Sequence, residues 1–233
     1  ISARLNGICY RVNNAQQCGK KMEYEEMKNK IILADCMDIM KDIPDKYFEL
    51  AIVDPPYELE RFEKQGALRY KDSSKLKSWN KVPDKNYFNE LFRISKNSIV
   101  WGANNFVLSP TEYFIIWNKC QTVENYASAE YAWTNCKIPS KVFTYSIHKV
   151  MSDRKLEGGK IHPTQKPIAL YRWLLQNYAK PGDKIIDTHS GSGSCAIACY
   201  LEKFDFLAIE KDEDYYKASV ERLDTLRSQG VLF

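Results

Sequence analysis

The chain of 233 residues lacks the features that mark several classes of protein. No run approaches the roughly 18 to 20 apolar residues of a membrane span, and no secretory signal pattern opens the sequence. Its seven cysteines contain no C-x-x-C pair. An odd number of irregularly spaced cysteines argues against a disulfide framework and leaves a zinc site without matching partners. We therefore expect reduced thiols, a cytoplasmic location and no metal.

Internal repeats are absent, and the composition is that of a globular protein, with 44% hydrophobic and 27% charged residues. The length suits one sizeable α/β domain. From residue 30 onward, apolar runs of strand length alternate with helical segments. The predicted strands are 30–34, 48–53, 98–101, 113–117, 131–133, 142–145, 184–187 and 206–210, and the predicted helices are 37–43, 87–94, 167–178, 194–201 and 212–226. This alternation predicts a doubly wound, mostly parallel sheet, preceded at 1–29 by an N-terminal arm or short helix of unknown role.

The tetrapeptide Asp54-Pro55-Pro56-Tyr57 follows the buried strand predicted at 48–53. Neither proline has a backbone N–H, so the carbonyl oxygens of Asp54 and Pro55 lack the neighbouring donors that would normally occupy them. The result is a stiff group of acceptors beside a flat ring. Such a group suits the binding of a flat base by its exocyclic amine.

A glycine-rich loop at 187–196 lies between a predicted strand and a predicted helix. Gly191, Gly193 and Ala196 match the G-x-G-x-x-G/A spacing, in which glycines let the backbone turn tightly and approach a ligand. Glu210 ends the next strand, where a carboxylate can accept hydrogen bonds from ribose hydroxyls. The pattern indicates a nucleoside cofactor.

Two cofactors fit this loop. A dinucleotide would place its pyrophosphate at the helix N-terminus. S-adenosylmethionine has no phosphate, and its amino group would need an acceptor, for which Asp187 is placed. The loop alone does not choose between them.

Positive charge is concentrated in two segments, although the net charge is only +4. Residues 61–85 carry eight basic side chains against three acidic ones, and residues 137–166 carry seven against two. Both segments have weak apolar patterns and are predicted to be loops or flaps. A solvated surface would explain either run alone. Two such runs flanking a base-binding tetrapeptide favour contact with nucleic-acid phosphates.

Three motifs together resemble the β-class DNA amino-methyltransferases. Asp54-Pro55-Pro56-Tyr57 resembles their catalytic motif, and the loop 187–196 resembles their S-adenosylmethionine motif. The segment His162-Pro163-Thr164-Gln165-Lys166-Pro167 resembles the one that precedes that loop in this class. The catalytic motif comes first, which is the circularly permuted β-class order, and the similarity extends from about residue 30 to 225. The resemblance implies a Rossmann-like methyltransferase domain over 30–233, with DNA-contacting insertions near 61–85 and 118–160.

The resemblance also implies roles for individual residues. The Asp-Pro-Pro-Tyr form usually accompanies adenine N6 as the target, with Asp54 accepting from the amine and Tyr57 stacking on a flipped base. Other residues would bind the cofactor. Its methionine moiety would be held by Asp187, Gly191 and Gly193, and its carboxylate would be approached by Thr164 and Lys166. Glu210 would bind its ribose, and Asp35 would lie near its adenine. Thr188 and His189 depart from the Pro-Phe common in the family and would form the wall of the adenosine pocket.

The implied activity is S-adenosylmethionine-dependent methylation of adenine N6 in double-stranded DNA. Relatives of the β-class are often dimers, so the resemblance also implies a homodimer. Restriction–modification, phage and solitary settings all remain open, as does the recognition sequence. The alternatives are a methyltransferase acting on cytosine N4, RNA or a protein glutamine, a nicotinamide-dependent oxidoreductase, and a non-catalytic DNA-binding module.

Overall fold

The computed structural model describes residues 2–5, 8–11, 24–57, 82–124 and 127–229. The strands are β1 (Ser2–Leu5), β2 (Ile8–Arg11), β3 (Lys30–Leu33), β4 (Phe48–Val53), β5 (Ser95–Trp101), β6 (Phe114–Asn118), β7 (Ala129–Thr134), β8 (Lys141–Thr144), β9 (Lys184–Asp187) and β10 (Asp205–Glu210). The helices are α1 (Tyr24–Met27), α2 (Cys36–Met40), α3 (Lys85–Ile94), α4 (Ile147–Leu156), α5 (Ile168–Tyr178), α6 (Ser194–Leu201) and α7 (Glu213–Ser228). The strands predicted from residue 30 onward are confirmed, with shifts at their ends.

All ten strands form one sheet in the order β1-β2-β3-β10-β9-β4-β5-β7-β6-β8. The five central strands, from β3 to β5, are parallel. Both faces of this central part are covered, as a parallel sheet requires. In β4, Leu50 and Ile52 pack with α5, α6 and α7, whereas Ala51 and Val53 pack with α2 and α3. The predicted doubly wound α/β architecture is therefore confirmed.

The order of the sheet creates a crevice between β9 and β4. The chain leaves β9 through α6 towards β10, and it leaves β4 through α3 towards β5 on the other side. Connections that diverge from two adjacent parallel strands open a gap at their carboxyl ends, which is where α/β sheets bind ligands. Because β4 precedes β9 in the chain, the tetrapeptide half comes before the glycine-loop half.

The predictions for the two polar segments were partly wrong. Residues 1–29, predicted to be an arm or short helix, contain the short helix α1 and also the strands β1 and β2, which extend the sheet through an antiparallel pairing of Arg11 with Leu33. Within 137–166, which was predicted to be a loop or flap, the helix α4 was missed. Only Val150 of its described side chains is buried, so the apolar periodicity that would reveal a helix is absent. Its start is instead marked by the Ser146 hydroxyl, which caps the helix by accepting from the Lys149 N–H.

Most of the basic segment 61–85 lies outside the described residues, which resume at residue 82. Its contact with DNA stays a prediction. Among the helices of the described ranges, none combines the length and the apolar character needed to cross a bilayer.

Candidate active site

A cavity of about 360 Å³ fills the crevice at the carboxyl ends of the central strands. Most of the residues singled out in the sequence line it: Asp35, Asp54, Pro55, Pro56, Tyr57, Thr164, Lys166, Thr188, His189, Gly191 and Glu210. Asp187 and Gly193 lie outside the lining. The fold thus brings the tetrapeptide, the glycine loop and the segment 162–167 to one place.

Asp54 directly follows β4, and its two carboxylate oxygens have different surroundings. Oδ2 forms an ion pair with the Nζ atom of Lys166. Oδ1 is buried and accepts no hydrogen bond from the described part of the chain. Pro55 and Pro56 cannot supply a backbone donor to it. Burial raises the pKa of Asp54, and the neighbouring ammonium of Lys166 opposes that increase. Asp54 therefore has one neutralised oxygen and one free acceptor.

The ammonium of Lys166 lies between two carboxylates. Besides Asp54, it contacts Glu130 Oε2 at 3.3 Å, and Glu130 Oε1 in turn contacts the Nζ atom of Lys119 at 2.5 Å. Nζ also lies 5.6 Å from the centre of the Trp101 ring. Burial alone would lower the pKa of Lys166, but the two carboxylates outweigh burial and raise it. The family resemblance predicted that Lys166 lies near the cofactor carboxylate. No sequence pattern indicated a role for Glu130.

Tyr57 lies half-buried at the mouth of the cavity, and Gly102 makes room for its ring. Gly102 follows β5 with a φ of +65°. A Cβ atom there would lie 2.6 Å and 2.8 Å from two carbon atoms of the Tyr57 ring. Phe106 contacts the same ring edge-to-face at a centroid distance of 6.5 Å. The sequence analysis missed Gly102, whose only local signal is a glycine at the end of a strand.

The two loop glycines have separate tasks. Gly191 has a φ of +50°, and a Cβ atom on it would lie 3.4 Å from the His162 ring. Gly193 has a φ of +73°, and a Cβ atom on it would lie 3.1 Å from Ser219 and 3.2 Å from Ile31. Gly191 therefore keeps open the cavity side of the loop, whereas Gly193 lets α6 pack closely on β3 and α7.

Glu210 holds the glycine loop by its backbone. One carboxylate oxygen accepts from the Gly191 N–H at 2.6 Å, and the other accepts from the Asp212 N–H at 2.8 Å. Burial raises the pKa of this carboxyl. A carboxylate oxygen has two lone pairs, so each keeps capacity for a hydroxyl donor from the cavity.

Asp187 and Ser190 form the buried base of the loop. The Asp187 carboxylate accepts from the His189 N–H at 3.0 Å, and burial raises its pKa to about 8. Ser190 lines the cavity, and its Oγ atom is buried without a hydrogen-bond partner among the described residues. Buried hydroxyls are normally paired, so a ligand donor or acceptor is expected at this atom.

Tyr87 contacts both residues that depart from the Pro-Phe pattern, Thr188 and His189. The Thr188 hydroxyl lies 2.7 Å from Tyr87 OH and 3.0 Å from His189 Nδ1, and the Tyr87 and His189 rings meet edge-to-face at 5.1 Å. Burial lowers the pKa of His189 to about 4, so the ring is neutral at physiological pH. Tyr87, which comes from α3, was missed because no local pattern links it to a loop 101 residues away.

Asp35 and Thr164 also line the cavity. Asp35 caps α2 by accepting from the Met37 N–H at 3.0 Å, and its other oxygen pairs with Lys211 Nζ at 2.7 Å. The Thr164 hydroxyl lies 3.2 Å from His162 Nδ1. The lining of the cavity thus combines carboxylate acceptors with hydroxyl groups.

Comparisons with known proteins agree with this geometry. A family model described as DNA methylase, N6_N4_Mtase, matches residues 79–221. The chain is 22% identical over 259 residues to the Type II methyltransferase M.HinfI of Haemophilus influenzae, and the match covers 89% of this chain and 71% of that protein.

Solved structures with low sequence identity share the fold. The M1.HpyAVI–SAM complex superposes with a TM-score of 0.55 at 20% identity, covering 83% of this chain and 98% of that one. The cytosine-N4-specific PvuII DNA methyltransferase superposes with a TM-score of 0.54 at 14% identity, covering 85% of this chain and 89% of that one.

Proposed function

The chain belongs to the DNA methylase family, and we propose that it transfers a methyl group from S-adenosylmethionine to N6 of adenine in double-stranded DNA. The family includes enzymes that act on adenine N6 and on cytosine N4, so the base is the finer part of the proposal. Asp rather than Ser at position 54 favours adenine, by the resemblance of the tetrapeptide to the adenine-N6 form.

The unpaired Oδ1 atom of Asp54 carries the proposal. A buried carboxylate oxygen without a donor is costly, and an amine that donates to it relieves that cost. The exocyclic amine of adenine is a poor nucleophile because its lone pair is delocalised into the ring. A hydrogen bond from N6 to Oδ1, and a second to the Pro55 carbonyl, would draw the nitrogen towards a tetrahedral form and free the lone pair.

The residues of the glycine loop fit S-adenosylmethionine. The unpaired Ser190 Oγ offers a partner for a polar group of the cofactor, and the space that a Cβ on Gly191 would fill is open to it. Glu210 would accept from the ribose hydroxyls, and Asp35 would lie near the adenine. Asp187 would accept a hydrogen bond from the amino group of the methionine moiety. When bound, the cofactor supplies an electrophilic methyl group on a positively charged sulfur.

Asp54 would also accept the proton that the amine loses when it is methylated. The amine nitrogen gains the methyl carbon as the carbon–sulfur bond breaks, and it must then lose one proton. In the proposed complex Oδ1 would accept a hydrogen bond from that N–H, so it would be placed to receive the proton and pass it to water. Burial, by raising the pKa of Asp54, makes it a better base than an exposed carboxylate.

Tyr57 and Gly102 would receive the target base. A base inside a duplex cannot reach the cavity, so it must be flipped out at a cost of about a few kcal/mol. Stacking on an aromatic ring returns about 1–3 kcal/mol. The half-buried Tyr57 ring contacts Phe106, lies against Gly102 and lines the same cavity as Asp54, so it would stack on a base whose amine points at Oδ1.

DNA phosphates would be contacted by the segments 61–85 and 118–160. Within the second segment, the described side chains of His148 and Lys149 on α4 are exposed. Sequence-independent phosphate contacts of this kind position the duplex.

A homodimer also stays a prediction, which sedimentation velocity would test.

The target base can be identified by mass. Unmethylated genomic DNA is incubated with the protein and S-adenosylmethionine, digested to nucleosides and analysed by mass spectrometry. The control is the same reaction without S-adenosylmethionine. We expect N6-methyladenine. N4-methylcytosine would overturn the choice of base but keep the family activity. No methylated nucleoside despite tight DNA binding would favour a non-catalytic DNA-binding module.

A further inference from the structure

A chain of alternating charges lies behind the catalytic acid. It consists of Asp54, Lys166, Glu130 and Lys119, joined in that order by ion pairs. The four residues come from the end of β4, the loop before α5, the start of β7 and the residue after β6. We name these four residues the charge chain. It connects the tetrapeptide to the β6–β7 hairpin, whose connection and second strand lie in the segment 118–160.

Lys166 is the central link of the charge chain. Its side chain is 3% exposed, and its ammonium contacts carboxylates on two sides. An ammonium has three donors, and two of them are directed at Asp54 and Glu130. A residue held in this way is suited to fix the charge and orientation of Asp54.

We propose, on the basis of the proposed function, that Lys166 and Glu130 are positioning residues: Lys166 keeps Asp54 ionised and leaves its Oδ1 atom for the target amine, and Glu130 holds Lys166 in place. Lys166 occupies Oδ2, so Oδ1 is left for the substrate. Glu130 holds the ammonium of Lys166 from the opposite side, and Lys119 neutralises Glu130. The lysine therefore acts on the reaction through Asp54.

The other groups around Asp54 make this positive charge necessary. Asp187 lies near enough to act on it electrostatically, and Tyr57, Tyr87 and Tyr171 are also close. Each of these is either neutral or negative, so none of them favours an ionised Asp54. Among the described residues that act on Asp54, the cations are Lys166 and Lys119. Without Lys166, burial would favour the protonated acid, which accepts poorly from an amine.

Two substitutions should change the pH dependence in opposite directions. Lys166→Met removes the cation beside Asp54, so Asp54 should ionise at higher pH and the rising limb of the rate should move to higher pH. Glu130→Gln removes a negative charge and keeps the shape of the side chain, so the rising limb should move to lower pH. A purely structural role would not produce shifts of opposite sign.

The experiment measures single-turnover methylation of unmethylated genomic DNA between about pH 5.5 and 9.5, with tritiated S-adenosylmethionine. For Lys166→Met, we expect the ratio of the rate at high pH to that at pH 6 to rise at least about tenfold, because an opposite charge within about 4–6 Å changes ionisation by that much or more. The dissociation constant of S-adenosylmethionine should stay within about threefold. Lys217→Met, which removes an exposed α7 lysine paired with Glu213, is the matched control and should keep the wild-type profile.

Several outcomes would overturn the inference. A tenfold loss of S-adenosylmethionine affinity with an unmoved rising limb would show that Lys166 serves the cofactor instead. Unmoved limbs in both variants would also refute it. If thermal unfolding shows that Lys166→Met does not fold, Glu130→Gln decides alone. Absence of DNA methylation by the wild-type protein would refute the proposed function itself, and that result is distinct from wild-type activity with unshifted variants.

Discussion

Substituting Gly102 by alanine tests whether the Tyr57 ring is held for a target base. Two costs follow from the structure. At φ +65° a residue with a Cβ atom costs about 1–2 kcal/mol more than glycine. In addition, the new Cβ would lie 2.6 Å from the nearest ring carbon, whereas carbon atoms prefer about 3.5–4.0 Å. One of the two groups must therefore move by about 1 Å.

The ring of Tyr57 is the group that moves, because it is half-buried and its outer side is open to the cavity. The loss of stability should thus stay close to the backbone cost, about 1–2 kcal/mol. The loss of activity should be larger, because a displacement of about 1 Å at a positioning contact can reduce the rate by about 10²-fold. The affinity for S-adenosylmethionine should be unchanged, since Gly102 does not line the cofactor side of the cavity.

Gly182→Ala is the matched control. Gly182 has a φ of +90°, and a Cβ on it would meet no atom of the described residues within 4 Å. It carries the backbone cost without the clash. Urea unfolding should show similar losses of stability for both variants, and kcat/KM for DNA methylation should fall only in Gly102→Ala. Equal activity of the two variants would refute the idea that the room for the Tyr57 ring matters.

Two further predictions concern the cofactor side of the cavity. Ser190→Ala removes a buried hydroxyl that has no partner within the described part of the chain, so the unfolding temperature should stay the same or rise. Calorimetric titration should show S-adenosylmethionine affinity lowered by about 2- to 12-fold, the worth of one hydrogen bond. An unchanged affinity would separate Ser190 from the cofactor. Glu210→Gln places an amide donor against either the Gly191 or the Asp212 N–H, so the free energy of unfolding should fall by about 1–3 kcal/mol and the cofactor should bind more weakly. Wild-type stability in urea would contradict the role of Glu210 in holding the loop.

Much of the central sheet could be predicted from local patterns. The runs at 48–53, 184–187 and 206–210 are apolar on both faces and end at acids or turns, which is typical of buried parallel strands. The glycine loop and Glu210 were found together because their spacing follows from one strand–helix–strand unit. These features depend on residues close in sequence.

Helix α4 has a weak local signal. It buries only Val150 among its described side chains and depends on the Ser146 cap and the Lys149–Asp153 ion pair. Strands β1 and β2 lie at one end of the sheet. Their local signals, the polar–apolar alternation over 2–5 and the Asn-Gly pair at 6–7, were not recognised.

The missed contacts of the site join distant parts of the chain. Lys166 meets Asp54 across 112 residues, and Tyr87 meets Thr188 across 101. Gly102 contacts Tyr57 from a neighbouring strand end. Such pairs are decided by how the strands are ordered in the sheet, and a single sequence carries no periodic signal for them.

Methyl transfer by Asp54→Ala is the most direct test of the central claim, that the free oxygen of Asp54 accepts the target amine. The variant is compared with the wild type for S-adenosylmethionine affinity and for the single-turnover rate of DNA methylation. The rate should fall by more than about 10²-fold, as for the loss of a pre-positioned hydrogen-bonding group in other active sites, with cofactor affinity largely retained. A rate within tenfold of the wild type, at full cofactor occupancy, would contradict the account.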